Sequence, residues 1–394
     1  MKCKITNKAI DPFMSFGRMP IANGFVDEIN FSKEFFFNME VGFNEDISLL
    51  QLNEHPKPEK MFNQNYPFFT GSSEYMKNHF KLYAQFVKKY LKTNSKIIEI
   101  GSNDGTFLKN FINSPENIVG FEPSKNVADK AIKNKIPTIN SFFTSDAAKN
   151  LKEYVGTTDL ICASNVICHI PDLKNLIEAI DILLSPEGTF VFEEPYLGSM
   201  FEKVSYDQIY DEHIYMFSAS SVSKIFEKFN LYLVDVAPQI THGGSMRYII
   251  QRKKNNQSSA LKKALNYEQE KNLNNLNACI EFKKNCENSK ESLISKIKSY
   301  KRDGKSICGY AATSKSTTIL NYCGIGTDYI DYICDTTAEK IGKFSPGMHI
   351  PIKNMDHFYK NPTDLVYLFA WNHKDEIFNK EKNFKGKWFS HVQI

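Results

Sequence analysis

The sequence predicts an α/β protein with more than one domain, and three observations support this fold class. The chain has 394 residues, which is more than a single hydrophobic core usually organises. In the middle of the chain, short apolar runs alternate with amphipathic stretches, as in a mostly parallel sheet with helices on both faces. The same alternation begins again after a long polar segment, which predicts a second α/β domain.

The composition excludes several classes of protein. Hydrophobic residues make up 42% of the chain and aromatic residues 13%, which is enough to build a large core. The net charge of +4 on 24% charged residues is nearly balanced, whereas a nucleic-acid-binding protein would carry a basic face. The 8 cysteines form no C-x-x-C pair, which favours reduced thiols in a cytoplasmic protein. No apolar run suits an export signal or a membrane span, so we expect no membrane partner.

Residues 1–75 predict a small lobe of short strands. They are rich in Phe and contain the strand-like runs EVGF and SLLQL. The stretch 72–91 then carries apolar residues at helical spacing, with Ser72 or Ser73 as its N-cap. This amphipathic helix would lead into a new domain.

Residues 76–255 predict the central α/β domain. Helical stretches separate apolar runs that predict strands within residues 96–101, 117–123, 158–170 and 188–195. The runs LYLVDVAPQ and GGSMRYIIQRK follow and predict a closing antiparallel hairpin.

Residues 256–394 predict a C-terminal α/β domain. Residues 256–301 read as one long helix or two, and they cross from the central domain to the last one. The runs KSICGY, DYIDYICD and TDLVYLFAW then predict strands of a second parallel sheet.

A glycine turn after the first central strand is the first candidate site, formed by Glu99, Gly101, Ser102, Asn103, Asp104 and Gly105. The glycines let the backbone approach a ligand closely, while an acid on the strand suits a cationic ligand better than a pyrophosphate. Glu122, followed by Pro123, ends the next strand, where a carboxylate can accept both ribose hydroxyls. This pattern resembles the S-adenosylmethionine site of class I methyltransferases.

Two polar residues follow the third central strand. Asn165 and His169 would lie at the carboxyl edge of the sheet, where such folds bind ligands. His169 reads equally well as a core or loop residue.

The stretch IYDEHIYMFS, residues 209–218, is the second candidate site. It concentrates Tyr210, Asp211, Glu212, His213 and Tyr215, all of which can handle protons or hydrogen bonds. Taken alone, it is also compatible with an ordinary polar loop.

Two later motifs could bind a sugar, a phosphate or both. In THGGSMR, His242, Gly243 and Arg247 form either such a site or a tight turn before an edge strand. In GYAATSKSTT, Lys315, Ser316 and Thr317 lie near a predicted helix N-terminus, which suits a diphosphate. The motif lacks the Walker pattern, so ATP hydrolysis is not indicated. Asp335 ends the next strand and could contact the sugar or the base of a nucleotide-linked ligand.

Several motifs, in order, resemble those of the sugar C-methyltransferases. They are NYPFFTGSSEYMKNH, IIEIGSNDGTFL, VGFEPS, ASNVICHIPDL, YDEHIYMFS, THGGSMR, GYAATSKSTTILNYCGIG and FSPGMHIPI. The resemblance covers nearly the whole chain. It implies methylation of a nucleotide-linked 4-keto-deoxysugar by S-adenosylmethionine, in surface-glycan or natural-product biosynthesis. It also implies a zinc-lobe-like region at 1–75, a Rossmann-like class I methyltransferase domain at 76–255 and a nucleotide-sugar domain at 256–394. We expect a monomer.

The resemblance assigns roles to the second candidate site. His213 corresponds to a general base that removes a proton from the carbon next to the keto group. Glu212 would orient the imidazole or contact the sugar, and Tyr210 would donate to the keto or enolate oxygen. His169 would contact the sugar, whereas Asp211 and Tyr215 are expected to be structural.

The chain departs from the family pattern in its N-terminal lobe. Two C-x-x-C pairs normally hold a zinc ion there, but here the four positions are Cys3, Thr6, Asn44 and Ile47. We therefore predict no metal, with the Phe-rich residues 13–37 filling the core instead. A family tyrosine is also replaced by Phe68 or Phe69, and Tyr66 or Tyr75 could substitute for it.

Two other functions remain open at this point. The enzyme could methylate a sugar hydroxyl, with His213 removing a proton from oxygen. Alternatively, the protein could bind a nucleotide sugar without catalysis.

Overall fold

The computed structural model describes residues 1–62, 64, 66, 68–254 and 257–394, which form three β-sheets surrounded by helices. The first sheet is antiparallel, has four strands and belongs mainly to the N-terminal lobe. The elements of this lobe and the helix after it are β1 (Pro12–Pro20), β2 (Phe36–Asn44), β3 (Leu49–Leu52), α1 (Pro58–Met61) and α2 (Glu74–Val87). The strands predicted from EVGF and SLLQL are confirmed within β2 and β3. Ser73 caps α2, as one of the two predicted caps, by accepting a hydrogen bond from the Met76 N–H at 3.2 Å.

One prediction about the N-terminal core is wrong. The space around Cys3 is filled by Ile5, Ile47 and Leu49, which pack together with the central domain. The Phe side chains of residues 13–37 lie elsewhere. Phe16 and Phe37 are buried in a separate cluster shared with the C-terminal domain. Short-range sequence patterns do not reveal which of two neighbouring cores a large side chain enters.

The central sheet has seven strands in the order β10-β11-β8-β7-β4-β5-β6. Its strands, together with the short β9, are β4 (Ile97–Ile100), β5 (Ile118–Phe121), β6 (Thr138–Ile139), β7 (Thr158–Ser164), β8 (Leu184–Pro195), β9 (Tyr215–Met216), β10 (Tyr232–Gln239) and β11 (Ser245–Gln251). The helices of this region are α3 (Lys125–Lys133), α4 (Ser145–Val155), α5 (Leu173–Leu183), α6 (Leu197–Lys203) and α7 (Ala219–Glu227). Strands β8 to β6 are parallel, and β10–β11 is an antiparallel hairpin, which confirms the predicted fold class.

The region after the glycine turn differs from the prediction. The sequence predicts a helix there, but only a short 3-10 helix forms, at Leu108–Phe111. Asp104 and Thr106, which precede this helix, hydrogen-bond each other at 2.6 Å. Short polar side chains that bond locally compete with the backbone bonds of a helix.

The C-terminal sheet has five parallel strands in the order β14-β13-β12-β15-β16. Its strands are β12 (Ile307–Tyr310), β13 (Ile333–Cys334), β14 (Ile352–Lys353), β15 (Leu365–Leu368) and β16 (Lys387–Phe389). Two helices, and not one, cross to it, and three more pack on it: α8 (Ser259–Glu270), α9 (Leu276–Arg302), α10 (Ser314–Cys323), α11 (Met355–Lys360) and α12 (Lys374–Lys380). No helix in the described ranges is apolar over a length that would cross a membrane. All eight cysteines are buried free thiols.

The strand β9 joins the N-terminal lobe to the central domain. Tyr215 and Met216 pair with Gln51 and Leu50 and so complete the N-terminal sheet. The second candidate site, residues 209–218, includes this strand. The strand therefore connects the site to the N-terminal lobe as well as to the central domain.

A buried carboxylate attaches α8 to the central domain. Glu268 is fully buried and accepts hydrogen bonds from the Tyr196 hydroxyl at 2.9 Å and from the backbone N–H groups of Ala219 and Ser220 at 2.7 and 2.8 Å. Ala219 and Ser220 are the first residues of α7, where a negative charge is favoured.

We predict that Glu268→Ala lowers the free energy of unfolding by about 3 kcal/mol, because three buried donors lose their acceptor. Glu270→Ala, on the exposed side of the same helix, is the matched control and should change it by less than about 0.5 kcal/mol. Urea unfolding curves measure both values. Equal effects of the two substitutions would show that the Glu268 bonds do not hold α8 in place.

Candidate active site

A cavity of about 1390 Å³ lies where the N-terminal lobe, the central domain and the C-terminal domain meet. Pockets for one ligand commonly measure about 300–1,000 Å³, so this cavity has room for two. Glu99 and Glu122 line it on the side of the central sheet, Lys315 on the side of the C-terminal domain, and His213 between them. The arrangement suits a reaction between two bound molecules.

The glycine turn after β4 shapes one end of the cavity. Gly101 has φ +65°, and a Cβ there would lie 2.4 Å from a Val166 methyl group. Gly105 has φ +79°, and its Cβ would lie 2.7 Å from Ile136. Only glycine fits such positions without strain. The Glu99 carboxylate is buried beneath the turn, and its Oε2 atom has no hydrogen-bond partner among the described residues. Burial, Asp104 and Glu122 raise the pKa of Glu99 well above its usual value.

Asn103 and Asp104 bind another part of the chain. The Asn103 side-chain oxygen accepts a hydrogen bond from the Thr70 N–H at 2.8 Å, and an Asp104 oxygen accepts one from the Gly71 N–H at 2.9 Å. Ser102 is buried beside them and also lines the cavity. The turn therefore holds the segment before α2 as a wall of the cavity.

Glu122 is prepared to accept further hydrogen bonds. Its two oxygens accept the backbone N–H groups of Ser124 at 2.7 Å and Asn103 at 3.0 Å, and burial raises its pKa. Each carboxylate oxygen keeps a second lone pair for a ligand hydroxyl. Pro123 lines the cavity next to it.

The loop after β7 carries Asn165 and His169. Asn165 has φ +55°, and its side-chain oxygen is buried without a partner in the described parts of the chain. The backbone N–H groups of Val166, Ile167 and Cys168 all donate to one oxygen of Glu194, at 2.9, 2.6 and 3.2 Å. This buried carboxylate on β8 thus fixes the loop. Burial raises the pKa of Glu194 to about 7.

His169 stacks on His213 in the wall of the cavity. Their ring centroids are 5.3 Å apart, and the Phe62 ring stacks on His169 with centroids 5.6 Å apart. Burial lowers the pKa of His169 to about 4, so the ring is neutral near pH 7. The His169 Nε2 atom is buried without a partner in the described residues, which leaves it available to a ligand.

His213 is held in a single tautomer. Its Nδ1 atom lies 2.7 Å from the Gln208 carbonyl oxygen, which can only accept, so Nδ1 carries the proton. Its Nε2 atom then accepts a hydrogen bond from the Tyr210 hydroxyl at 2.7 Å. Burial, together with His169 and His242, lowers the pKa of His213 well below its usual value. The ring is a neutral base with its lone pair directed at Tyr210.

Two buried carboxylates flank these rings. Asp211 accepts a hydrogen bond from the Ala22 N–H at 3.0 Å, and Glu212 accepts one from the Asn23 side-chain amide at 2.7 Å. Burial raises the pKa of Glu212 to about 7, and burial together with Glu212 raises that of Asp211 well above its usual value.

The C-terminal domain anchors the segment that leads to His213. Asp207 is fully buried, accepts a hydrogen bond from the Trp371 indole at 2.6 Å, and lies 3.2 Å from His391 Nε2. The Gln208 side chain donates to the His242 carbonyl oxygen at 2.7 Å. These bonds hold Asp207 and Gln208, and with them the carbonyl that orients His213.

The far end of the cavity is cationic. Lys315 lies at the N-terminus of α10, 3.0 Å from the Asn372 side-chain oxygen, and burial lowers its pKa to about 8, so it is mostly charged at neutral pH. Asp335 also lines this end, but its two oxygens accept the backbone N–H groups of Ala312 and Thr337 at 2.7 Å each. His242 also lines the cavity, and burial and Lys315 lower its pKa to about 3.

Four residues proposed for substrate binding have side chains engaged elsewhere. The hydroxyls of Ser316 and Thr317 donate to the Thr313 and Ala22 carbonyl oxygens at 2.6 and 2.8 Å. Arg247 is buried and pairs with Glu193 at 2.7 Å, and Gly243 packs against the Trp371 ring. Contact of these four side chains with a substrate stays a prediction. Their present contacts do not support it.

Sequence reasoning missed several lining residues. They include Asn23, Thr313, Ser314, Lys340, Asn372 and His373. Thr313 precedes a helix as its N-cap, which is a readable signal. Asn23 and Lys340 have no local signal, because their partners lie far away along the chain.

The four positions at which the resemblance implies zinc ligands lie together and are joined by hydrogen bonds. The Thr6 N–H donates to the Cys3 sulfur at 3.4 Å, the Asn44 amide donates to the Thr6 hydroxyl at 2.9 Å, and the Ile47 N–H donates to the Asn44 side-chain oxygen at 3.3 Å. One thiol with a hydroxyl, an amide and an alkyl group does not fit the four soft ligands that structural zinc requires. In the described residues, Cys168, His169 and His213 bring a sulfur and two ring nitrogens within 4.8 Å of one another, but both His213 nitrogens have hydrogen-bond partners, so we assign no metal to this group.

Comparisons with known proteins match most of the chain, in three parts. Family models for a zinc binding domain, a methyltransferase domain and a C-methyltransferase C-terminal domain match residues 3–62, 74–236 and 240–392. The C-methyltransferase NovU of Streptomyces niveus is 28% identical over 375 residues, which cover 94% of this chain and 89% of that protein. A SAM-dependent methyltransferase from Anabaena variabilis is similar over 44% of this chain and 83% of its own, with 16% identity and a TM-score of 0.35. An S-adenosylmethionine-dependent methyltransferase from Clostridium acetobutylicum is similar over 46% and 93%, with 13% identity and a TM-score of 0.35.

We predict that Glu194 makes stability depend on pH. Since its pKa rises from 4.5 to about 7 on folding, its stabilising effect is complete below about pH 4.5 and is lost as the pH rises through about 7. Glu194→Gln keeps an oxygen for the three N–H groups but stays neutral. The free energy of unfolding of the wild type should therefore fall relative to this variant by about 3 kcal/mol between about pH 4 and about pH 8. Urea unfolding at several pH values measures this difference, and a constant difference would contradict the prediction.

Proposed function

Because the chain belongs to the S-adenosylmethionine-dependent C-methyltransferase family, we propose that it methylates a carbon atom of a nucleotide-linked 4-keto-deoxysugar, next to the keto group. The observation that carries this proposal is the neutral, oriented His213, whose Nε2 atom accepts from the Tyr210 hydroxyl in the wall of a cavity large enough for two ligands. A neutral imidazole has a free lone pair with which it can accept a proton from the carbon next to a keto group.

The glycine turn and its neighbours would hold the cofactor. When bound, S-adenosylmethionine supplies an electrophilic methyl group. Glu122 would accept the ribose hydroxyls with the lone pairs that Ser124 and Asn103 leave free. Glu99 and Asn165, with their unpartnered buried oxygens, would accept donors of the cofactor. Gly101 and Gly105 permit the close approach.

The C-terminal end of the cavity would bind the nucleotide part of the acceptor. Lys315 and the first N–H groups of α10 suit a diphosphate, since a helix N-terminus and a buried cation both favour negative charge. Thr313 and Ser314 line the same wall and could donate further hydrogen bonds. With the nucleotide there and the cofactor at the glycine turn, the sugar would lie beside His213.

The proton would move to His213. In the structure without ligands, the Tyr210 hydroxyl donates to Nε2, so the sugar must take the place of this bond. We propose that Tyr210 then donates to the keto oxygen, which becomes negative as the enolate forms, while Nε2 accepts the proton from carbon. Glu212 would contact the sugar, and His169 would donate to it or accept from it with its unpartnered Nε2 atom. Holding the carbon in line with the methyl group would supply much of the acceleration.

Incubation with a panel of nucleotide keto-sugars and S-adenosylmethionine, followed by mass spectrometry, tests the proposed function. A product in which a methyl group has replaced a hydrogen, and which is heavier by one CH2 unit, is expected only from sugars with a keto group. Equal methylation of a sugar without a keto group would instead establish transfer to oxygen. If calorimetry detects no binding of S-adenosylmethionine, the result favours a protein that binds a nucleotide sugar without catalysis.

We predict that His213→Ala abolishes exchange of solvent deuterium into the carbon next to the keto group and lowers turnover about a thousandfold. Tyr210→Phe should retain part of the exchange, because the base remains while the donor to the oxygen is lost. Tyr154→Phe, which changes an exposed tyrosine, is the control and should behave like the wild type. If Tyr210→Phe loses exchange as completely as His213→Ala, the proton passes through the tyrosine oxygen and not directly to the histidine.

We also propose that the N-terminal lobe folds without zinc, since the Cys3, Thr6, Asn44 and Ile47 cluster is closed by hydrogen bonds. The purified protein should contain far less than one zinc ion per chain, and a chelator should leave its melting temperature unchanged. The triple variant Thr6→Cys, Asn44→Cys, Ile47→Cys is the positive control and should bind one zinc ion, measured by elemental analysis. A wild-type protein that loses both zinc and stability on chelation would contradict the proposal.

A further inference from the structure

The segment that follows β1 lies between the C-terminal domain and residues 209–218, which we call the catalytic segment. The Ala22 N–H donates to Asp211, and the Ala22 carbonyl oxygen accepts from the Thr317 hydroxyl at 2.8 Å. Val26 and Phe344 exchange two backbone hydrogen bonds, at 3.2 and 2.9 Å. The segment is therefore fixed at both ends.

Asn23 lies at the tip of this segment. The Gly24 N–H donates to the Ile21 carbonyl oxygen at 3.0 Å and closes a turn, which points the Asn23 side chain into the cavity. The Asn23 amide donates to Glu212 Oε1 at 2.7 Å. Among the described residues, this is the single hydrogen bond of the Asn23 side chain, and Asn23 is one of the residues that line the cavity.

The chemistry of this bond favours one ionisation state. An amide N–H can only donate, so it stabilises a carboxylate oxygen that carries a lone pair and a negative charge. Burial raises the pKa of Glu212 to about 7, while Asn23 and Lys340 act in the opposite direction. The other ionisable groups around Glu212 are Asp211, Tyr66, Tyr210 and Cys168, and none of them is a cation.

We propose that Asn23 is a positioning residue that keeps the Glu212 carboxylate ionised and directed at the acceptor sugar. The N-terminal lobe thereby completes the active site, because it contributes the Asn23 side chain to it. This inference rests on the proposed function, because it assigns Glu212 to the acceptor side of the methyl transfer.

The hydrogen bonds of this turn support a role of Asn23 in aligning the Glu212 carboxylate. The turn that carries Asn23 is tied to Thr317 on α10, the helix whose N-terminus carries Lys315. The same turn is tied to Asp211 beside Glu212. Asn23 therefore aligns the carboxylate relative to both the acceptor-binding helix and the catalytic segment.

Steady-state kinetics of Asn23→Ala and Asn23→Asp test the proposal, with Asn38→Ala as the control. Asn38 is an exposed asparagine on β2 of the same lobe. Asn23→Ala should lower kcat/KM for the keto-sugar by roughly ten- to a hundredfold, leave the affinity for S-adenosylmethionine unchanged, and shift the acidic limb of the pH profile to higher pH. Asn23→Asp should shift it further, because a second carboxylate beside Glu212 disfavours its ionisation. A wild-type pH profile in both variants, or a parallel loss of cofactor affinity and melting temperature, would overturn the proposal.

A second measurement separates this inference from the proposed function. Infrared difference spectroscopy during a pH titration reports the Glu212 carboxyl band, which is identified by its loss in Glu212→Gln. The band of the protonated carboxyl should persist to higher pH in Asn23→Ala than in the wild type. If no keto-sugar is methylated, the proposed function fails, but this shift still decides the role of Asn23. An unchanged titration of the band would refute that role.

Discussion

The structure depends on one constraint, which is that an irregular polar segment, residues 205–218, runs through the interior. Buried polar groups without partners are costly, so each one needs a hydrogen bond. These bonds come from every part of the molecule. Asp211 is bonded by the N-terminal lobe at Ala22, Asp207 by the C-terminal domain at Trp371, and the Ile214 N–H by the central domain at the Cys168 carbonyl oxygen. The three parts are thus fixed relative to one another through the segment that carries His213.

Burial also determines the charges of the site. It keeps both His169 and His213 neutral, and it raises the pKa of Glu212 into the neutral range. The site thus combines neutral imidazoles with a carboxylate that titrates near neutral pH, and groups with shifted pKa values are typical of sites that transfer protons. At the other end of the cavity, Lys315 stays mostly charged. Burial lowers the pKa of the lysine and of the histidines alike, and Lys315 keeps its charge because its ordinary pKa of 10.5 lies far above the 6.5 of histidine.

Local patterns predict the fold, but they predict the site only in part. The alternation of strands and helices and the turn of Gly101 and Gly105 can be read from the sequence, since each depends on neighbours in the chain. His213 is recognisable as part of a cluster of titratable groups. The direction of a side chain cannot be read from the sequence. The sequence pattern therefore assigns the hydroxyls of Ser316 and Thr317 to a ligand, although they donate to backbone oxygens. Asn23 was missed because its partner, Glu212, is 189 residues away.

The pairing of β9 with β3 has a consequence for the order in which the chain folds during synthesis. Domains tend to fold as they leave the ribosome, beginning at the N-terminus. Here the edge strand Leu49–Leu52 is covered by Tyr215 and Met216, which are synthesised only after most of the central sheet. Until then, an apolar strand edge stays open, and such edges pair readily with other chains. The nascent N-terminal lobe is consequently a place where a holding chaperone would prevent aggregation.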